Sequence, residues 1–301
     1  MRQLILGLVA IFTIIGCQSF QPKGIGLNIE FAKAPTAKEA KTWRKKSKYN
    51  KIFEGAWRVN DAKNPVLING TPVDKAKYPA VLRIKSASGA GCTASLVGPQ
   101  AILTAAHCAE QGEQVTFTTV DGRKFTATMY RFEKWPGEDL DLSVGKVNTP
   151  VTGILPISVR TDRFEKKGMD VTLIGYGCTN PGGTGGNDGV LRIGTAKISS
   201  GQGYDLALDG NPSALCYGDS GGPVFFEGKQ IGVNSKGNIE DKSYTTRTTL
   251  PEGVAFLKLA EQKLGVKICG ISECDGGSVP PPGPKQFTFE NEFIKLQGLV
   301  K

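Results

Sequence analysis

The strongest constraint on the fold is a succession of short β-type runs from about residue 67 onward, each ended by Gly, Pro or Asp, with no helical pattern between them. The clearest is QVTFTTV, then Asp121-Gly122, then RKFTATM. Both flanks alternate apolar and polar residues, and Asp-Gly supplies the positive φ angles of a two-residue hairpin turn. Similar runs occupy 80–85, 93–97, 171–176, 190–199, 223–226, 230–235 and 244–249. Strands that succeed one another without crossover helices pair antiparallel, so the expected class is all-β, a barrel or a sandwich. The first convincing helix comes late, at Pro251–Leu264. Pro stands at its start, Val254, Leu257, Leu259 and Ala260 give it an apolar face, and Gly265 lies just past its end.

Composition narrows the function. With 39% hydrophobic and 22% charged residues, the chain is neither disordered nor a polytopic membrane protein. The net charge of +9 is segregated: residues 18–66 hold eleven Lys/Arg against four Asp/Glu, whereas 67–301 hold 25 against 24. The main body therefore lacks the electrostatic footprint of a nucleic-acid binder, and no nucleic-acid partner is expected. His107 is the single histidine, which excludes zinc sites needing two imidazoles, HExxH metallopeptidases included. No metal and no organic cofactor is expected.

Residues 1–16 have Arg2, the apolar run Leu4–Ile15 and then Gly16 before Cys17. The run is too short to span a bilayer and reads as the apolar core of an export signal. Its end resembles a bacterial lipobox, which implies lipidation of Cys17, a membrane anchor through acyl chains, and an outer-membrane or cell-surface location facing the periplasm or exterior. The alternative is an ordinary signal peptide containing Cys17. Six cysteines then remain, an even number suited to three bridges in an oxidising compartment. Residues 17–66 are a basic tether or a prosegment, in which a helix over roughly 38–57 would align Tyr49, Phe53 and Trp57. A Gly/Pro-rich linker and tail, to which no function is assigned, fill 275–301.

Two motifs carry the chemistry. Thr104-Ala105-Ala106-His107-Cys108 and Gly218-Asp219-Ser220-Gly221-Gly222-Pro223 together resemble, in the same chain order, the signatures of the trypsin-like (chymotrypsin-fold) serine peptidases. The resemblance covers about 67–266 and implies two six-stranded antiparallel β-barrels followed by the C-terminal helix, within a domain of 67–274. It implies catalysis by His107, Asp141 and Ser220 on protein or peptide substrates. Peptide hydrolysis by serine needs a base that takes the hydroxyl proton and returns it to the leaving amine, which imidazole does near neutral pH. Asp141 is preferred to Asp139, two residues earlier on the same face, because Asp141-Leu142-Ser143-Val144-Gly145-Lys146-Val147 continues the family pattern. The N–H groups of Gly218 and Ser220 would form the oxyanion hole. The resemblance also implies the bridges Cys92–Cys108, Cys178–Cys216 and, locally, Cys269–Cys274.

Two departures from the family bear on activation and specificity. Asp219 corresponds to the acid that pairs with the amine freed by activation cleavage, and Leu67 to the new N-terminus. Asn64, Pro65 and Val66 precede it with no Lys or Arg, so either an enzyme of other specificity cuts there or the site is ordered without cleavage. The primary pocket is expected to have Ala214 at its floor, Ser235, Lys236 and Gly237 on one wall, and Ser243 or Lys242 on the other. Such a neutral pocket takes apolar or medium-sized P1 residues, while a lysine turned inward would take acidic ones. The reading is of a monomeric serine endopeptidase. Its rivals are an inactive binding module on the same scaffold, and a basic surface-binding protein acting through residues 18–66.

Overall fold

The computed structural model describes residues 67–183, 188–209 and 213–274. The export signal, the basic segment with its expected helix, and the C-terminal tail lie outside the described residues. A two-residue strand β1 (Thr71–Pro72) comes first, followed by β2 (Val81–Ser86), β3 (Gly91–Gly98), β4 (Ala101–Thr104), β5 (Gln114–Thr118), β6 (Lys124–Arg131) and β7 (Ser143–Val147). Strands β2 to β7 close into a barrel in the order β2-β3-β4-β7-β6-β5. Alternation does the sorting, as expected of strands with one buried face. Val115 and Phe117 of β5 and Phe125, Ala127 and Met129 of β6 point inward, while Gln114, Thr116, Thr118 and Lys124 point out. Gly145 is required by close packing, since a Cβ there would stand 2.6 Å from Met129 Sδ and 2.7 Å from Ile102 Cγ1.

Strands β8 (Asp170–Gly175), β9 (Arg192–Gln202), β10 (Asp205–Asp209), β11 (Pro223–Phe226), β12 (Lys229–Gly237) and β13 (Lys242–Arg247) form the second barrel. Its order is β9-β10-β13-β12-β11-β8, closed by β8 on β9, and β1 joins the same sheet through β9. Its core holds Leu67, Val171, Leu173, Ile198, Leu206, Leu208, Val224 and Ile231. Every strand pair is antiparallel, so the two six-stranded barrels expected from the motifs are present.

The helix α1 (Pro251–Leu264) has the expected ends, with Gly265 at φ 60° stopping it. Its buried face differs in detail. Phe256, Leu257, Ala260 and Leu264 are buried and join the core of the first barrel, while Val254 and Leu259 are half-buried. Full burial of Leu257 contributes about 2 kcal/mol by area removed from water. Lys146 of β7 donates to the Leu264 carbonyl at 2.6 Å, satisfying a helix-end acceptor and fastening α1 to the barrel.

The expected two-residue turn at Asp121-Gly122 is a longer one. The Thr119 N–H donates to Arg123 O at 2.9 Å and the Gly122 N–H to Thr119 O at 3.0 Å, and only Gly122 of the pair has positive φ, at 86°. That is a three-residue hairpin loop with Gly in the left-handed position. Asp121 is spent on Arg123, at 2.7 Å, and keeps ordinary backbone angles.

Candidate active site

Barrel register brings the site together. Thr104 at the end of β4 lies opposite Ser143 at the start of β7, so the residues just after β4 and just before β7 share one end of the first barrel. His107 sits there on a single 3₁₀ turn, Ala106–Cys108, and Asp141 precedes β7 by two residues. His107 Nδ1 lies 2.7 Å from Asp141 Oδ2, and the His107 N–H donates to Asp141 Oδ1 at 3.0 Å. The Ser235 hydroxyl of β12 donates to Asp141 Oδ2 at 2.6 Å. Asp141 is fully buried, which by itself pushes a carboxyl up. The His107 charge and hydrogen bonds and the Ser235 hydroxyl outweigh that cost and hold it below the usual carboxylate range.

Ser220 enters from the second barrel on the turn before β11, half-buried, and lines the same cleft as His107. Thr93 of the first barrel fastens that turn. Its N–H donates to Ser220 O at 2.9 Å, its hydroxyl donates to Gly218 O at 2.8 Å, and the same oxygen accepts the Tyr176 N–H at 3.1 Å. Asn234 holds the other side, accepting the Gly221 N–H at 2.7 Å and donating from its side chain to Asp219 O at 3.1 Å. Gly218 has φ 93°, and among the described residues neither its N–H nor that of Ser220 meets an acceptor. The sequence motifs do not reveal Thr93, Asn234 or the Ser235–Asp141 contact, because each depends on a partner more than a dozen residues away.

Asp219 is fully buried, accepting N–H groups from Gly177 at 2.7 Å and Cys216 at 2.9 Å. A Cβ on Gly175 or Gly177 would run into its carboxylate, which explains why the Gly175-Tyr176-Gly177 segment needs both glycines. Burial pushes the Asp219 carboxyl up to about 7 despite the two N–H donors and the field of Arg192. Leu67 is fully buried in the second barrel, and Ile68 exchanges backbone bonds of 3.0 and 3.3 Å with Ala214.

All three bridges join the expected partners, Cys92 with Cys108, Cys178 with Cys216 and Cys269 with Cys274. Cys92–Cys108 spans 16 residues beside His107 and contributes about 3 kcal/mol in the chain-entropy view. Cys92, His107 and Cys108 are close enough to suggest metal ligation, but both sulfurs are in the bridge and Nδ1 is on Asp141.

The pocket beside Ser220 differs from expectation. It measures about 40 Å³ and is lined by Ser235, Lys236 and Gly237 as expected, together with Leu215 and Ile239. Ala214 and Ser243 do not line it. Ala214 is tied to Ile68, and the Ser243 hydroxyl accepts the Leu215 N–H at 2.9 Å. Neither candidate lysine supplies charge to the pocket. Lys236 Nζ meets Asp205 Oδ2 at 2.7 Å, and Lys242 Nζ meets Asp209 at 2.6 Å on the surface.

Two packed antiparallel barrels, with a histidine, a buried acid and a serine at their junction, define the architecture of chymotrypsin-fold serine peptidases. The trypsin family model matches residues 67–252, and this chain belongs to that family. It is 27% identical over 208 residues to chymotrypsin of Phaedon cochleariae, covering 57% of this chain and 73% of the relative. It is 25% identical over 174 residues to brachyurin of Leptuca pugilator, covering 48% and 75%. The human heparin binding protein shares the fold, with a TM-score of 0.50 at 18% identity over 60% of this chain and 91% of that one.

Proposed function

We propose that this protein is a serine endopeptidase in which Ser220 attacks the scissile carbonyl and His107 is the general base. The observation that carries the reading is the 2.7 Å contact between His107 Nδ1 and the buried Asp141. It leaves Nε2 to take the Ser220 proton during attack and return it to the leaving amine. Asp141, held ionised by three donors, fixes the imidazole tautomer and stabilises the imidazolium. The N–H groups of Gly218 and Ser220 then stabilise the oxyanion, a contribution of about 10²–10³ in turnover per donor.

The small pocket, closed by Leu215 and Ile239, suits small apolar P1 residues. A basic P1 side chain would find no carboxylate there, and an acidic one no available ammonium. The three bridges fit an exported protein. Within this reading, the protein is a monomer anchored by lipid at Cys17, residues 17–66 are tether or prosegment, and 67–274 is the catalytic domain. Cleavage before Leu67 by an enzyme of non-tryptic specificity, or order without cleavage, sets Asp219.

The test is digestion of a mixed peptide library by the purified protein and by Ser220→Ala, with products read by mass spectrometry. Cuts after small apolar residues, absent in the variant, are expected. Their absence from folded wild-type protein would move the reading to a binding module. N-terminal sequencing of active material decides the activation route. Detergent partitioning of Cys17→Ser against wild type tests the anchor.

A further inference from the structure

From Tyr217 to Ser220 nearly every backbone polar group has a backbone or side-chain partner, as buried turns require. The Tyr217 carbonyl accepts the Cys178 N–H at 2.9 Å. The Asp219 carbonyl accepts the Gly222 N–H at 2.9 Å and the Asn234 amide at 3.1 Å, and the Ser220 carbonyl accepts the Thr93 N–H at 2.9 Å. On the donor side, the Tyr217 N–H meets the Cys178 sulfur at 3.0 Å and the Asp219 N–H meets Cys216 O at 3.1 Å. Three groups remain. The N–H groups of Gly218 and Ser220 meet no acceptor among the described residues, and they are the pair assigned to the oxyanion. The third, the Gly218 carbonyl, is met by a side chain alone, the Thr93 hydroxyl at 2.8 Å.

Thr93 is fully buried on β3, next to Cys92 of the bridge to Cys108. A hydroxyl has one proton to give, and this one goes to Gly218 O while the oxygen accepts the Tyr176 N–H at 3.1 Å. The direction of the hydroxyl is thus set from both sides. The Thr93 carbonyl accepts the Thr104 hydroxyl at 2.8 Å, three residues before His107. One residue therefore ties the Ser220 turn to the strand that leads to His107. A Cβ on Gly221 would overlap Thr93 O and Thr104 Oγ1, so the turn is seated directly on this pair. The bond matters at Gly218 because φ there is 93°, and the peptides flanking a glycine rotate at little cost. The peptide between Gly218 and Asp219 is held at both ends, its carbonyl by Thr93 and its N–H by Cys216. With the carbonyl released, that plane can turn, and the neighbouring N–H groups of Gly218 and Ser220 shift with it.

We propose that Thr93 is a positioning residue for the oxyanion hole, its hydroxyl holding the Gly218 peptide so that the N–H groups of Gly218 and Ser220 converge on the scissile carbonyl oxygen. The inference rests on the peptidase reading. Thr93 is fully buried and does not line the cleft or the pocket, so it acts through Gly218 and not on substrate. The hole acts as charge develops on the carbonyl oxygen, so a misplaced donor lowers kcat and leaves substrate binding nearly unchanged. Outright loss of one hole donor costs about 10²–10³ in turnover, and a donor displaced but still present costs less, about ten- to hundredfold.

The test uses the full chain with Thr93→Val, which keeps the shape and removes the hydroxyl, beside Thr93→Ser, which keeps the hydroxyl. On a peptide with a small apolar P1 residue, Thr93→Val should lower kcat about ten- to hundredfold with KM within about threefold of wild type. It should weaken by a similar factor the binding of a peptide boronate, whose tetrahedral adduct on Ser220 places an oxygen in the hole. Thr93→Ser should bring both back to within about threefold of wild type. A Thr93→Val protein that melts earlier but keeps its kcat per folded molecule overturns the proposal, as does a change confined to KM. So does Thr93→Ser as impaired as Thr93→Val, because packing and not the hydroxyl would then be responsible. Should Thr93→Val not fold, Thr93→Ala is measured in the same way, and failure of both to fold assigns the hydroxyl to the fold and overturns the proposal. Wild type that neither cuts peptides nor binds the boronate ends the peptidase reading and this inference with it. Competent wild type beside an unimpaired Thr93→Val overturns this inference alone.

Discussion

Lys236 Nζ and Asp205 Oδ2 stand 2.7 Å apart, with side chains only 13% and 9% exposed. Burial pulls the Lys236 ammonium down, but the Asp205 carboxylate outweighs it and holds the lysine above its usual range. Thr246 donates to the second carboxylate oxygen at 2.7 Å. The pair commits the ammonium of this pocket-wall lysine to Asp205. Asp205→Asn is therefore expected to destabilise the protein by about 2–4 kcal/mol, because it removes the principal counter-charge of a mostly buried ammonium. It should also raise cleavage after Asp and Glu by about tenfold over wild type. Urea melts and a P1-varied peptide set check both parts, and unchanged P1 preference would count against the pairing argued for Lys236.

The hydrogen bonds on Asp141 predict unequal effects. Asp141→Asn removes the charge that fixes the His107 tautomer and should lower kcat by about 10⁴. Ser235→Ala removes one of three donors and leaves the carboxylate in place, so a loss of about tenfold is expected. Steady-state kinetics on a small apolar P1 substrate distinguishes them, and equal losses would show that Ser235 does more than orient the acid.

Ile239 lines the pocket and has φ 62°, a conformation that β-branched residues rarely adopt. Ile239→Gly removes the side chain and relieves about 1 kcal/mol of backbone strain. Cleavage after Leu or Phe should rise relative to Ala, with the melting temperature held or raised. A drop in stability with no broadening of P1 would show that Ile239 serves packing alone.

Asp219 predicts a pH dependence with a definite sign. Its carboxyl sits at about 7 when folded, above the ordinary value of 3.8. The folded state therefore binds the proton more tightly, and the stability this contributes is complete below pH 3.8 and lost as pH rises through 7. Between pH 5 and 8 the loss should be about 2–3 kcal/mol, absent in Asp219→Asn. Urea unfolding at the two pH values measures it. In material whose N-terminus is Leu67, a free amine reaching Asp219 would flatten the dependence, which makes the slope a reporter of activation.

Local rules made much of the fold legible. Period-two alternation located most of the long strands, Pro251 and Gly265 bounded the helix, and two motifs singled out His107 and Ser220. The strands β1, β4 and β10 are not legible in the sequence: each is short, and no alternating run flanked by turn residues marks it. Of these, β10 carries Asp205, the partner of Lys236.

The sequence by itself determined which side chains are available to transfer protons, which cysteines are available, and where most of the strands fall. Those depend on residue type and on neighbours within a few positions. Only the tertiary structure decided that Thr93 clamps the Ser220 turn, that Ser235 bonds Asp141 and that Ala214 is tied to Ile68. These partners are separated by long stretches of chain, and it is barrel closure, fixing the register of every strand against its neighbours, that brings them within hydrogen-bonding reach.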